Sequence, residues 1–198
     1  MYINRFTSLL TGFFAALWAS GSAVAATPPS YHLDAAHSQL DFTAVGKPGF
    51  LRINGKEASV SGKATTSTGG VLTGVFETSL DEFKTGIDLR DEHMKKKYLE
   101  TEKFPKAVLT WTVPSESVGA GKEVEFTGTL AVHGVERPVK GTAKVESSAG
   151  GLLAKIEATF PLKLSDFKID IPSYLGVTVA EDVVVRAHLT AIADKGAN

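Results

Sequence analysis

A run of alternating side chains constrains this chain more than any other feature. Leu152, Ala154, Ile156, Ala158, Phe160, Leu162 and Leu164 are interleaved with Leu153, Lys155, Glu157, Thr159, Pro161 and Lys163. Successive side chains of a strand point to opposite faces, so a period of two makes one apolar face and one polar face. The pattern recurs. Over 38–44, Ser38, Leu40, Phe42 and Ala44 oppose Gln39, Asp41 and Thr43. Over 107–113, Ala107, Leu109, Trp111 and Val113 share a face, and over 123–132 Val124, Phe126, Gly128, Leu130 and Val132 do. A last strand sets Val183, Val185, Ala187, Leu189 and Ala191 on one side. Further strands are predicted at 57–65, 71–80, 138–147 and 165–171.

The breaks carry turn chemistry: Gly69-Gly70, Gly119-Ala120-Gly121, His133-Gly134 and Ala149-Gly150-Gly151. Glycine supplies the positive φ of tight hairpins, and short connections join antiparallel neighbours. About eight or nine such strands predict an all-β fold, closed as a barrel or stacked as a sandwich. One segment departs from it. Thr85-Gly86-Ile87-Asp88 resembles a capping box with Asp in place of Glu. Residues 88–100 then have helical composition, with Ile87, Asp91, Met94 and Tyr98 on one predicted face and Arg90, His93 and Lys97 along its flank.

The N-terminus predicts a secretory signal. Arg5 precedes an apolar stretch from Leu9 to Ala19, and Gly21-Ser22-Ala23-Val24-Ala25 offers small residues for cleavage after Ala25. The expected mature domain is 26–198. There is no cysteine, which excludes disulfides, thiolate metal sites, cysteine nucleophiles and a lipobox anchor. The formal charge of −1 gives no basic excess for nucleic acid. The histidines form no i, i+4 metal pair, and no Gly-x-Ser-x-Gly elbow is present. No metal, cofactor or enzymatic activity is therefore expected.

Many residues on the inward register are small: Gly62, Ala64, Gly74, Gly128, Gly141, Ala143, Ala154, Ala158, Ala187 and Ala191. Eight-stranded barrels either fill their interior or hold a small ligand. Two readings stay open. The small residues leave space beside the aromatic rings, or they pack beneath them. If space remains, an apolar ligand gains about 25 cal/mol for each Å² removed from water, before ordering costs.

Four segments carry a family resemblance. They are Asp34-Ala35-Ala36-His37-Ser38-Gln39-Leu40-Asp41-Phe42, Thr85-Gly86-Ile87-Asp88-Leu89-Arg90-Asp91-Glu92-His93-Met94, 128–139 with Gly134-Val135-Glu136-Arg137-Pro138-Val139, and Ser165-Asp166-Phe167-Lys168-Ile169. In that order they resemble the YceI-like polyisoprenoid-binding family, over about Tyr31 to Ala193. The Arg-Asp-x-His-Met block is the most specific part. Two positions depart from the family pattern. Val45-Gly46-Lys47 stands where a histidine is common, and Lys168 stands where Asp-Phe-Gly-Ile has glycine.

The resemblance implies an extended, antiparallel, lipocalin-like barrel in the periplasm, carrying a long isoprenoid or fatty chain in a central tunnel. On that reading His37, Arg90, Asp91 and His93 sit at the tunnel mouth and bind a headgroup. Arg90 offers a bidentate fork, His93 a donor or acceptor, and Asp91 orients either. The alternative is that Arg90 and Asp91 only stabilise a helix end. The expected tunnel lining is Leu40, Phe42, Phe76, Met94, Tyr98, Trp111, Phe126, Leu130, Ile156, Phe160 and Leu189. Lys95-Lys96-Lys97 is either a solvated face or a transient contact with anionic membrane. A homodimer through an edge or the mouth stays open. The competing functions are an enzyme acting on such a lipid and a ligand-free stress-response module.

Overall fold

A computed structural model of the chain describes residues 29–47, 51–67, 69–118, 121–148, 150–174 and 177–194. The predicted leader, residues 1–25, lies outside them. The strands are β1 (Ser30–Leu33), β2 (Gln39–Lys47), β3 (Leu51–Thr66), β4 (Val71–Ser79), β5 (Lys106–Pro114), β6 (Glu123–Val132), β7 (Val135–Ser147), β8 (Leu153–Lys163), β9 (Ser173–Tyr174) and β10 (Val177–Ala193). β2 to β8 pair in sequence order, and β10 bonds both β8 and β2. That closes an eight-stranded antiparallel barrel. The short β1 pairs with β10 and β3, continuing the line of β2 beyond a 3-10 turn at Ala35–His37.

The alternating residues bury as the pattern requires. Val183, Val185, Ala187, Leu189 and Ala191 are all buried, as are Trp111, Val113, Phe126, Leu130 and Phe160. β6 and β7 meet in a two-residue hairpin in which His133 and Gly134 both take positive φ, at 52° and 70°. That backbone matches the right-handed twist of the flanking strands.

Three expectations are corrected. β3 begins at Leu51, six residues before the predicted start at 57. Between Phe42↔Gly55 and Leu40↔Ala58 the register slips. Glu57 there takes a left-handed φ of 72°, and Lys56 pairs instead with Lys84. The inward set jumps from Leu51 and Ile53 to Ala58 and Val60, so a bulge changes the phase of the alternation.

The predicted strand at 165–171 is a 3-10 turn at Ser165–Phe167 followed by irregular chain. Lys168 there is left-handed, with φ 56°. The turn buries Phe167 and Ile169 against the end of the barrel, and the Phe167 carbonyl meets Nδ1 of His133 at 3.1 Å.

The predicted helix over 88–100 is shorter and of two kinds. An α-helix, α1 (Asp88–His93), runs into a π-helical turn at Met94–Tyr98 closed by Leu99 N–H to Met94 C=O at 2.8 Å. The capping box does not form: Ile87 is the N-cap residue and its side chain makes no capping bond. The stretch from Leu80 to Pro105, between β4 and β5, lies over one end of the barrel. It is anchored there by the reciprocal backbone bonds of Lys56 and Lys84, at 2.9 and 3.1 Å.

Candidate functional site

Beneath that insert the barrel is hollow. A cavity of about 510 Å³ lies between the inner faces of β2, β3, β8 and β10 and the insert. This is within the size range of small-molecule sites. Leu40, Phe42 and Ala44 of β2, Ile53 of β3, Leu162 of β8 and Val183 and Val185 of β10 form its walls. Ile87, Leu89, Met94, Tyr98 and Leu99 roof it. Polar groups among its lining residues are few: Thr78, Thr85, Arg90, His93, Tyr98 and Ser173. Ile87 and Leu89 are about half exposed, at 54% and 50%, so the cavity opens beside α1.

A second cavity of about 100 Å³ lies deeper, lined by Phe76, Trp111, Phe126, Ile156 and Leu189 among others. Leu40, Thr78, Ala107, Leu130 and Phe160 border both spaces. Around the deeper space the inward glycines do not supply the room. A Cβ on Gly74 would lie 2.4 Å from Cζ2 of Trp111, and one on Gly141 would lie 2.7 Å from both Phe126 and Phe160. Rings and neighbouring backbone fill what the glycines leave, the Thr159 carbonyl oxygen lying 2.4 Å from a Cβ at Gly141. The Phe76 and Trp111 rings then tilt together at 5.1 Å, and Phe126 and Phe160 meet edge-on at 6.1 Å. The larger opening comes from the insert standing off the barrel end.

The predicted lining residues fall around these two spaces. Phe42, Met94 and Tyr98 border the outer one, Phe76, Trp111, Phe126, Ile156 and Leu189 the inner one, and Leu40, Leu130 and Phe160 both. The four predicted headgroup residues are not brought together. Arg90 and His93 line the outer cavity, whereas Asp91 and His37 line neither. Asp91 turns back on Thr85, accepting its backbone N–H at 2.8 Å and also its hydroxyl. Arg90 donates from Nε to the Thr85 hydroxyl and from Nη2 to the Thr85 carbonyl, both at 2.7 Å. Two of its donors are thus engaged locally while the residue still borders the cavity.

His37 sits in the 3-10 turn between β1 and β2, its Nδ1 2.7 Å from Asp34. That hydrogen bond holds the Asp34 carboxyl below the ordinary carboxylate range. The pair fastens an exposed turn next to Ser38, whose hydroxyl accepts the Thr190 N–H at 3.0 Å.

The pattern missed Leu99, Ile169, Pro172 and the exposed Ile87 and Leu89 as lining residues. An apolar pair exposed at a helix start was the available signal for the last two. Lys96 of the basic run pairs with Glu92 at 2.9 Å, and that bond lowers the Glu92 pKa. Near the other end of the insert, Glu100 accepts from Lys103 and lies 3.1 Å from Nε2 of His133. These two partners, Lys103 first, hold the Glu100 carboxyl below its ordinary value. Among the described residues no group of three or more His, Cys, Asp or Glu is placed to hold a metal ion.

Comparison with known proteins agrees with this fold. Two relatives are Protein YceI of Escherichia coli O157:H7 and of Shigella flexneri. Each is 32% identical over 175 residues, covering 82% of this chain and 86% of the relative. Among solved structures, a polyisoprenoid binding domain from Saccharophagus degradans superimposes with a TM-score of 0.65 at 21% identity, over 83% of this chain and 98% of that one. BcnA of Burkholderia cenocepacia does so with a TM-score of 0.63 at 17% identity, over 80% and 98%. At these identities the two structures speak for the fold. The YceI-like domain model matches residues 31–191, and the chain belongs to that family.

Proposed function

We propose that this protein is an exported carrier that holds one long apolar lipid chain, of isoprenoid or fatty-acyl type, inside the barrel. The observation that carries the reading is the cavity of about 510 Å³, walled almost wholly by hydrocarbon and open beside α1. Such a space rewards an apolar chain at about 25 cal/mol per Å² and offers little to a polar one. The binding of polyisoprenoid by the Saccharophagus degradans relative supports the same class of ligand.

Arg90 and His93 stand at the opening and supply the polar anchor for a headgroup. The half-exposed Ile87 and Leu89 give the mouth an apolar rim suited to brief contact with a membrane surface during loading. The leader read in residues 1–25 sends the protein to the periplasm, where such exchange would take place.

The test is organic extraction of the natively purified protein followed by mass spectrometry, with an Ala107→Phe variant, which puts a ring where both spaces are bordered, as comparison. A long-chain lipid in the native extract, reduced in the variant, is the expected result. A clean extract, together with no binding of added isoprenoid or fatty acid, overturns the carrier reading. Intact mass of the secreted form tests cleavage after Ala25, and fractionation tests the compartment.

A further inference from the structure

We infer that His133 is a proton-operated latch, clipping the roof of the cavity to the barrel end when its ring carries two protons and loosening it when one is lost. This rests on the carrier reading and adds the regulation of ligand release.

The ring lies between two segments that both reach the ligand space. Its Nε2 is 3.1 Å from a carboxylate oxygen of Glu100, at the end of the insert. Its Nδ1 is 3.1 Å from the carbonyl oxygen of Phe167, in the 3-10 turn after β8. Leu99, next to Glu100, and Ile169, two residues beyond Phe167, line the outer cavity. The His133 side chain is 10% exposed, and the Phe104 ring meets it at 4.6 Å. Glu100 itself takes a left-handed φ of 45° just past the π-helical turn, a conformation that penalises a side chain. Its bonds to His133 and Lys103 oppose that penalty.

Both partners of the ring can only accept. The carbonyl has no hydrogen, and the Glu100 carboxyl is held below its ordinary value by the bond from Lys103 and then by that from His133, so it is ionised across the neutral range. A neutral imidazole has one N–H and one lone pair, whereas the imidazolium has two N–H groups. Only the imidazolium makes both bonds. Once a proton is lost, one nitrogen turns its lone pair on an oxygen, and a buried acceptor left without a donor is costly. From the insert the charged groups here are Glu100 and, through it, Lys103. The turn presents its carbonyl, with Asp166 and Lys168 exposed beside it, and Glu136 and Arg137 of the hairpin are exposed on β7.

The test follows release of all-trans-retinol, a fluorescent isoprenoid alcohol with no titratable group, from the purified protein. Release is timed at about pH 5.5 and about pH 8.5, on either side of the range in which histidine ordinarily changes charge. It is expected to be about five-fold faster at the higher pH, the scale of one net hydrogen bond. Two variants remove the effect. His133→Gln cannot change charge. In Glu100→Gln the amide donates to a neutral ring and accepts from a protonated one, so the contact survives in both states. Each variant should release retinol at the same rate at both pH values.

Equal rates in the unaltered protein, or a pH effect that survives in the variants, overturn the latch and leave the carrier reading standing. Should His133→Gln not fold, Glu100→Gln carries the comparison. NMR of ¹⁵N-labelled protein counts the ring protons directly. Two slowly exchanging N–H groups are expected on His133 at the lower pH and one at the higher; a single proton at both overturns the latch. Failure of retinol to bind at either pH counts against the carrier reading, and the proton count still decides whether the clip exists.

Discussion

Arg90 grips Thr85 at two points, its Nε on the hydroxyl and its Nη2 on the carbonyl, each at 2.7 Å. Asp91 accepts both polar hydrogens of Thr85, the backbone N–H and the hydroxyl. The most family-specific block of the sequence thus pins the start of α1 to the lip of the cavity. Arg90→Ala leaves the Thr85 carbonyl without its donor and should cost about 1–2 kcal/mol. Arg90→Lys should recover less than half of that, because a point charge cannot reproduce the planar fork. Urea unfolding measures both, and lipid retained after purification is measured beside it. Lipid lost beyond what the stability change explains fits the headgroup role beside the structural one, whereas lipid retained in full would remove Arg90 from the anchor.

Gly74→Ala should disturb the interior although it adds one methyl group. The new Cβ would fall 2.4–2.7 Å from three atoms of the Trp111 indole. Overpacking of this kind costs about 1–3 kcal/mol. The expected readouts are a lowered melting temperature and a shifted indole emission. Unchanged values for both would mean that the ring moves aside freely.

The strands were legible because a barrel wall with one wet face must alternate, and Ala154 to Leu162 or Val183 to Ala191 can do nothing else. The bulge at Lys56 and Glu57 was hidden because it moves the buried set from odd to even positions, which reads as the end of a strand. Residues 165–171 misled for a related reason. Phe167 and Ile169 both bury two apart, as in a strand, although a 3-10 turn places them. In the insert, the predicted face ran through Asp91, whereas the bonds to Thr85 turn that carboxylate away and leave Arg90 on the cavity. The Asp34-x-x-His37 spacing offered a local partner for His37, which the structure uses to fasten a turn away from Arg90 and His93.

Lys168 occupies a left-handed conformation, φ 56°, where a side chain is penalised and glycine is not. Lys168→Gly should stabilise the protein by about 0.5–1 kcal/mol after the added flexibility of the unfolded chain is deducted. Lys168→Val should do the reverse. Thermal melting of the two variants against the parent checks the sign.

The pairing of Glu100 with Lys103 and His133 makes a small part of the stability depend on pH. The Glu100 carboxyl is held below its ordinary value of 4.5. A depressed carboxylate contributes fully above the unfolded value and loses its contribution as pH falls through the folded one. Glu100→Gln should therefore be less stable than the parent at pH 7, with the gap closing as pH falls below the ordinary value of 4.5 and through the lowered folded one. Denaturant unfolding across that range tests it; a gap that persists at acid pH would place the effect in packing.

β10 bonds to β8 along one edge and to β2 along the other. Its late position has a kinetic consequence. Until residues near Ala193 are available, the earlier strands can form only an open, curling ribbon with two unsatisfied rims, each able to recruit a neighbouring molecule. Ring closure joins residues separated by most of the sequence and waits for nearly the whole polypeptide, which favours slow folding. Shortening the chain before Val183 should thus yield aggregates instead of a slightly weakened product.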